Sequence, residues 1–130
     1  MTLTVASMLE AAHAAVPKIS TADAQDKIAN GALLLDVRDA PELERMGRAQ
    51  GAHHVPRGML EFRADSNTPF ADAELRKDRP VVIYCASGGR AALAGKLLKD
   101  MGYAEVYNIG GLQDWKDGGG TASEPMDPGM

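Results

Sequence analysis

The stretch VVIYCASGGRAALAGKLLKDMG, residues 81–102, decides the fold of this chain. It begins with four apolar residues of the kind that form a strand buried on both faces of a sheet. A glycine-containing loop follows, and leucine, alanine and methionine then recur at helical spacing up to Gly102, which can end the helix. Strands that alternate with helices pair in parallel, so this stretch predicts an α/β fold with a parallel sheet.

Cys85, the only cysteine of the chain, directly follows the predicted strand. Open α/β sheets bind ligands just beyond the carboxyl ends of their strands, which is where this thiol would lie. Gly88 and Gly89 allow the loop to turn its N–H groups inward, and the helix N-terminus and Arg90 add positive potential. These features favour a thiolate beside an anion site over a buried structural cysteine, so we predict that Cys85 is catalytic.

The rest of the chain continues the alternation of strands and helices. We predict an N-terminal helical extension over residues 1–16 and one α/β domain over residues 17–118, and residues 119–130 have the composition of a disordered tail. Apolar spacing and capping residues predict helices over residues 3–15, 20–29, 41–46, 57–64 and 112–117, with further strands over residues 33–37, 52–55 and 105–107.

Composition excludes several classes of function. The 130 residues make one domain, and a net charge of -4 without a basic cluster argues against nucleic acid or an anionic membrane as the partner. A single cysteine allows no internal disulfide and no cysteine cluster for zinc or for iron and sulfur, so we expect no metal and no cofactor. The first seventeen residues lack Lys and Arg, and no segment has membrane-spanning length. These observations predict a cytoplasmic protein.

Three separated segments carry a family resemblance: DVR at residues 36–38, CASGGR at residues 85–90 and GGLQDW at residues 110–115. With these segments in this order and spacing, the chain resembles a single-domain rhodanese-like sulfurtransferase. The resemblance implies a three-layer fold with a central five-stranded parallel sheet and helices on both faces.

The resemblance also implies a role for each residue of the loop. Cys85 would be the nucleophile and would carry the transferred sulfur as a persulfide. Arg90, at the final basic position of the loop, would hold an anionic donor such as thiosulfate. The N–H groups that would stabilise the sulfur anion, and with it bind the substrate, are those of Ala86, Ser87, Gly88, Gly89 and Arg90.

The partners follow from this chemistry. A thiolate attacks the outer sulfur of a small anionic donor such as thiosulfate, and sulfite leaves. The resulting persulfide is held by backbone N–H donors. Because the chain has no second cysteine, the sulfur must pass to an external thiol, to cyanide in an assay, or to a sulfur-relay protein. Ala86 stands where many thiosulfate-using members carry a basic residue, so the natural donor stays open.

Other candidate residues outside the loop follow predicted strands. Arg57 follows the strand over residues 52–55 and could contact the donor, although arginines in such places more often form surface ion pairs. His53 and His54 are adjacent on a strand and point to opposite faces, so they are predicted to be structural and not a metal pair. A structural ion-pair network is predicted for Asp36 and Arg38.

Three alternative functions compete with that of a free sulfurtransferase. A cysteine phosphatase or arsenate reductase uses a similar loop, but five residues separate cysteine from arginine in those enzymes, whereas only four residues do so here. A non-catalytic rhodanese-like binding module commonly lacks the cysteine that this chain keeps. A relay that takes sulfur only from a partner protein needs the same persulfide chemistry, so the sequence does not separate it from a thiosulfate enzyme.

Overall fold

The centre of the computed structural model, which describes residues 2–123, is a parallel sheet of four strands. The strands in chain order are β1 (Leu33–Asp36), β2 (His53–His54), β3 (Val81–Cys85) and β4 (Val106–Gly111). They lie in the order β2-β1-β3-β4, and each neighbouring pair is parallel. The predicted α/β fold with a central parallel sheet is confirmed.

Six α-helices surround this sheet within residues 2–123, and side-chain caps fix where the first two begin. Thr4 accepts a hydrogen bond from the Ser7 N–H at 3.0 Å, and Ser20 accepts one from the Asp23 N–H at 3.1 Å. No helix in this part of the chain is long and apolar enough to cross a bilayer. The helices are α1 (Val5–Ala15), α2 (Thr21–Ala29), α3 (Ala40–Met46), α4 (Leu60–Ala64), α5 (Gly89–Asp100) and α6 (Leu112–Asp117), and a 3-10 turn (Arg57–Met59) precedes α4.

The side chains of β3 alternate between two cores. Val81, Ile83 and Cys85 belong to the core that includes residues of α4 and α5, and Val82 and Tyr84 belong to the core that includes residues of α2 and α6. Every residue of β3 is buried as a result. The continuous apolar run that predicted this strand reflects helices on both faces of the sheet.

A fifth strand is reduced to a single bridge at the β4 edge. Lys18 pairs in parallel with Asn108. The Ile19 N–H donates to the Asn108 carbonyl and the Asn108 N–H donates to the Pro17 carbonyl, each at 3.0 Å. Because α1 ends just before this segment and α2 begins just after it, no longer strand can form there. The implied five strands are corrected to four strands and this bridge.

The N-terminal helix packs against α5, and a glycine makes the close approach possible. A Cβ at Gly95 would lie 2.9 Å from Cγ1 of Val16, the residue that follows α1. Ala12 of α1 is fully buried, and Val16 belongs to the same core as Cys85. The predicted N-terminal helix is therefore packed against the α/β domain.

Several boundaries differ from the sequence expectations. Cys85 is the last residue of β3 and not the first residue after it. The predicted strand over residues 52–55 shortens to the two residues that pair with β1, because β2 lies at the sheet edge. The predicted helix over residues 57–64 is divided into a 3-10 turn and α4. β4 extends to Gly111 because Asn108 and the glycines that follow, which give no strand signal, are still paired with β3.

Residues 119–123 are hydrogen-bonded, so the prediction of a disordered tail from residue 119 is wrong for these five residues. The Thr121 carbonyl accepts from Trp115 Nε1 at 2.9 Å and from the Gln50 N–H at 2.8 Å. Ala122 forms an antiparallel bridge with Ala49. The indole N–H of a buried tryptophan needs a hydrogen-bond acceptor, and for Trp115 the Thr121 carbonyl supplies it. The remainder of the predicted tail, residues 124–130, lies outside the described residues.

A buried ionic network holds the end of β1 to β3. The Arg38 guanidinium donates to both carboxylate oxygens of Asp36 and, through Nη2, to the Gly47 carbonyl at 2.8 Å. The Tyr84 hydroxyl donates to Asp36 Oδ2 at 2.6 Å and accepts from the Ala49 N–H at 3.0 Å. Burial and the hydrogen bond to Asp36 raise the pKa of Tyr84 well above its usual value. The structural network predicted for Asp36 and Arg38 is present.

We predict that Tyr84→Phe lowers the free energy of unfolding by about 2 kcal/mol, because it leaves a buried Asp36 oxygen and the buried Ala49 N–H without the hydroxyl. The matched control is Tyr107→Phe, which removes a hydroxyl that bonds Glu105 at an exposed position. Its effect is expected to stay within about 0.5 kcal/mol. Urea denaturation of both variants measures the difference, and equal losses would contradict the structural role of Tyr84.

Candidate active site

Two backbone N–H groups point at the sulfur of Cys85. Sγ accepts from the Gly88 N–H at 3.0 Å and from the Ala91 N–H at 3.4 Å. Cys85 itself is only 1% exposed. Since the Ala91 N–H belongs to the first turn of α5, the sulfur also lies at the positive end of a twelve-residue helix. Such donors stabilise negative charge on sulfur.

The loop reaches this shape through Gly88, whose φ of +104° places it in the left-handed region that favours glycine. Its carbonyl accepts from Asn108 Nδ2 at 3.3 Å, and Asn108 Oδ1 accepts from the Gly110 N–H at 2.8 Å. Asn108 is buried and was missed in the sequence analysis. The one available signal was a polar residue inside an otherwise apolar strand, which requires buried hydrogen-bond partners.

The two glycines of GGLQDW, Gly110 and Gly111, allow the loop to pack directly against the end of β4. Gly111 lies opposite Cys85 in the register of β3 and β4. A Cβ at Gly111 would overlap the carbonyl oxygen of Ala86, and a Cβ at Gly88 would lie 3.3 Å from the Gly110 Cα. The end of β4 therefore approaches the loop backbone more closely than a residue with a side chain would allow.

Arg90 forms an ion pair with Glu42 of α3. Nη1 and Nη2 of Arg90 donate to the two carboxylate oxygens at 2.7 and 2.8 Å. Glu42 also accepts from the Asp39 N–H at 2.8 Å, and the hydrogen bonds from Arg90 are the main cause that lowers the pKa of Glu42 to about 2. The pair ties α3 to the start of α5. Glu42 was missed in the sequence analysis, which predicts only a helix over residues 41–46. The one local signal is its place three residues after Asp39, a spacing typical of a helix start.

A cavity of about 120 Å³ opens beside the loop at Ala86. Ala86 and Ser87 are exposed, whereas Gly88 is buried. Buried Arg38 and half-buried Glu42 contribute charged atoms to the cavity wall, and Lys116 of α6 contributes another. The remaining wall residues are Met46, Leu112 and Gln113.

Among the described residues, Gly88 is the one member of the predicted set 86–90 whose N–H donates to Cys85 Sγ, and the second donor, Ala91, lies one residue beyond that set. The candidates outside the loop have different surroundings. Arg57 lies in the 3-10 turn, where Nη1 donates to Glu61 at 2.9 Å, and it borders a groove between α1 and α5. Its contact with a donor stays a prediction. His53 Nε2 pairs with Asp72, and His54 Nε2 bonds the Arg38 carbonyl at 2.6 Å, so each histidine has its own structural partner.

Comparison with known proteins finds one family and close structural neighbours. A family model described as a rhodanese-like domain matches residues 20–118. A Rhodopseudomonas palustris protein of unknown function, described as a possible tyrosine phosphatase, aligns with a TM-score of 0.86 and 38% identity over 95% of this chain and 96% of that chain. The polysulfide-sulfur transferase homodimer of Wolinella succinogenes aligns with a TM-score of 0.71 and 33% identity over 90% of this chain and 85% of that chain.

Curated relatives give a similar result. Thiosulfate sulfurtransferase GlpE of Ectopseudomonas mendocina is 31% identical over 76% of this chain and 84% of its own length. The uncharacterized Bacillus subtilis protein YqhL is 35% identical over 65% of this chain, and a second Bacillus subtilis relative is 32% identical over 77% of it. The matched part spans only 60% and 51% of the lengths of these two relatives.

We predict that Gly111→Ala lowers the free energy of unfolding by about 2 kcal/mol, because the new methyl group forces the Ala86 carbonyl and the loop away from β4. Gly58→Ala is the matched control, since a Cβ at Gly58 meets no atom within 4 Å. Chemical denaturation of both variants measures the two costs. A Gly111→Ala protein as stable as Gly58→Ala would show that the loop does not depend on this contact.

Proposed function

The chain belongs to the rhodanese-like domain family, and we propose that it is a sulfurtransferase that carries a sulfane sulfur as a persulfide on Cys85. The observation that carries this proposal is the pair of N–H donors on Sγ, from Gly88 at 3.0 Å and Ala91 at 3.4 Å. They suit a group that is anionic both before and after it accepts sulfur. Relatives named thiosulfate sulfurtransferase and polysulfide-sulfur transferase support the same reaction class.

In the first half-reaction, the Cys85 thiolate attacks the outer sulfur of thiosulfate. A sulfur–sulfur bond forms to Sγ, the bond between the two sulfurs of thiosulfate breaks, and its electron pair leaves with sulfite. The product is the Cys85 persulfide anion, so one negative charge stays on the enzyme throughout. No proton moves, and no separate general base is needed once the thiolate is formed.

In the second half-reaction, an acceptor thiolate or cyanide attacks the outer sulfur of the persulfide. The bond to Sγ breaks, its electron pair returns to the Cys85 thiolate, and the acceptor leaves as a persulfide or as thiocyanate. Because Cys85 is the only cysteine of the chain, the acceptor comes from outside it. Exposed Ala86 and Ser87 leave the outer side of the loop open to such an acceptor.

A phosphatase is the second candidate, because the Rhodopseudomonas palustris neighbour is described as a possible tyrosine phosphatase. An arginine binds phosphate oxygens through free guanidinium N–H donors. Here only four residues separate Cys85 from Arg90, and both guanidinium ends of Arg90 are bonded to Glu42. A short loop with an occupied arginine suits one added sulfur atom better than a tetrahedral phosphate, so we favour the sulfurtransferase.

Two other functions would fit a rhodanese-like domain that does not turn over free thiosulfate: a binding module and a sulfur relay. A binding module would not need N–H donors directed at a thiol, so the geometry at Cys85 argues against it. A relay fed by a protein donor would use the same persulfide and the same second half-reaction. The donor distinguishes these cases: a relay forms the persulfide from a cysteine desulfurase and not from thiosulfate.

We predict that Cys85→Ser abolishes sulfur transfer, because a serine hydroxyl neither attacks sulfane sulfur nor carries it. The assay follows thiocyanate formed from thiosulfate and cyanide, with thermal unfolding as the check that the variant is folded. Transfer at the wild-type rate by folded Cys85→Ser would refute the proposal.

We also predict that the wild-type protein releases no phosphate from an aryl phosphate above the rate in buffer, because Arg90 is held by Glu42. Phosphate release from para-nitrophenyl phosphate measures this activity. Turnover that disappears in Cys85→Ser would favour the phosphatase instead.

A further inference from the structure

The charged groups around the cavity beside Ala86 are not equally free to bind an anion. Arg38 is bonded to Asp36 through both Nε and Nη2. Glu42 is bonded to Arg90 through both carboxylate oxygens. Each pair holds one positive and one negative charge, so each adds little net potential to the cavity.

Lys116 is the exception among the charged residues that border this cavity. It lies in the last turn of α6 and is exposed, and its ammonium group has no ion-pair or hydrogen-bond partner within residues 2–123. The acidic residues of its own helix have other partners, since Asp114 accepts from the Gly111 N–H at 2.7 Å and Asp117 accepts from Gln113 Nε2 at 2.8 Å. Their spacing from Lys116 along α6 places them on other sides of the helix.

We propose that Lys116 is a specificity-determining residue that attracts the anionic part of the sulfur compound bound beside Cys85. This inference rests on the proposed function and assigns to Lys116 the anion-binding role that the family resemblance gives to Arg90. The compound it fits is a small anion whose charge lies next to the transferred sulfur, such as a thiosulfate or a thiosulfonate. Ala86 brings no charge of its own to this side of the loop.

The cavity suits such a group in size and in polarity. Its volume of about 120 Å³ is about four times the share of liquid volume that one water molecule occupies. Buried Leu112 gives it an apolar wall, and exposed Met46 lines another part of it. The flexible, strongly hydrated ammonium of a lysine binds an anion as a point charge and can follow it into or out of the cavity.

The test compares two alkylating reagents of nearly equal shape, neutral iodoacetamide and anionic iodoacetate. Because Cys85 is the only thiol, intact mass gives the rate of each reaction without ambiguity. The ratio of the iodoacetate rate to the iodoacetamide rate measures the potential at the sulfur and cancels changes in thiol reactivity that affect both reagents. We expect Lys116→Met to lower this ratio about threefold at low salt, and less at high salt.

Matched variants separate charge from structure. Lys116→Arg keeps the charge and should keep the wild-type ratio. Lys99→Met removes an equal charge at the far end of α5, about 15 Å along the helix from the loop, and should leave the ratio unchanged. Glu42→Gln removes a negative charge from the same cavity and should raise the ratio. A ratio that is the same in Lys116→Met and in the wild type would overturn the inference.

Steady-state kinetics with thiosulfate give the second readout. Lys116→Met should raise KM about threefold and leave kcat nearly unchanged, because the charge acts on binding of the donor. The alkylation ratio does not depend on sulfur transfer, so the two proposals can fail separately. A fall in the ratio without a persulfide on Cys85 from either thiosulfate or a cysteine desulfurase would refute the sulfurtransferase, while the positive potential that Lys116 supplies at the sulfur would stand. Thiocyanate formation by the wild type, with the ratio and KM unchanged in Lys116→Met, would support the sulfurtransferase and overturn the role of Lys116.

Discussion

The turn of the loop over residues 86–88 is the constraint on which the candidate site depends, because it directs two backbone N–H groups at Cys85 Sγ. These two hydrogen bonds exist only while the loop keeps its turn, and that turn needs the positive φ of Gly88. This loop conformation depends on β4, where the Asn108 side chain donates to the Gly88 carbonyl and Gly111 leaves room for the Ala86 carbonyl. A strand end, a glycine pair and a helix start thus combine to hold one sulfur atom among fixed donors.

Two ion pairs near the site help to build it, whereas the ammonium of Lys116 has no ion-pair partner within residues 2–123. Asp36 and Arg38 are fully buried and join β1 to β3 with the help of Tyr84. Arg90 and Glu42 join the start of α5 to the start of α3. Since their charges are already matched, these pairs are suited to holding the loop in place more than to attracting a substrate. That distinction separates this loop from one in which the arginine binds a phosphate.

The parts that the sequence predicted well are those governed by neighbours in the chain. Residues 81–102 carry a strand, a glycine turn and a helix whose signals are local, so the position of Cys85 at the end of a buried strand was predicted to within one residue. The parts that it missed depend on distant contacts. Glu42 and Arg90 are 48 residues apart, and nothing local pairs them. Residues 119–123 look disordered by composition, but Trp115 and Gln50 bind them.

The central claim is that Cys85 carries the transferred sulfur. The most direct test is the intact mass of the reduced protein before thiosulfate, after thiosulfate and then after cyanide. The account predicts a gain of one sulfur atom with thiosulfate, and its loss as thiocyanate when cyanide is added. The same protein without any mass gain from thiosulfate, and also without any gain from a cysteine desulfurase, would contradict it.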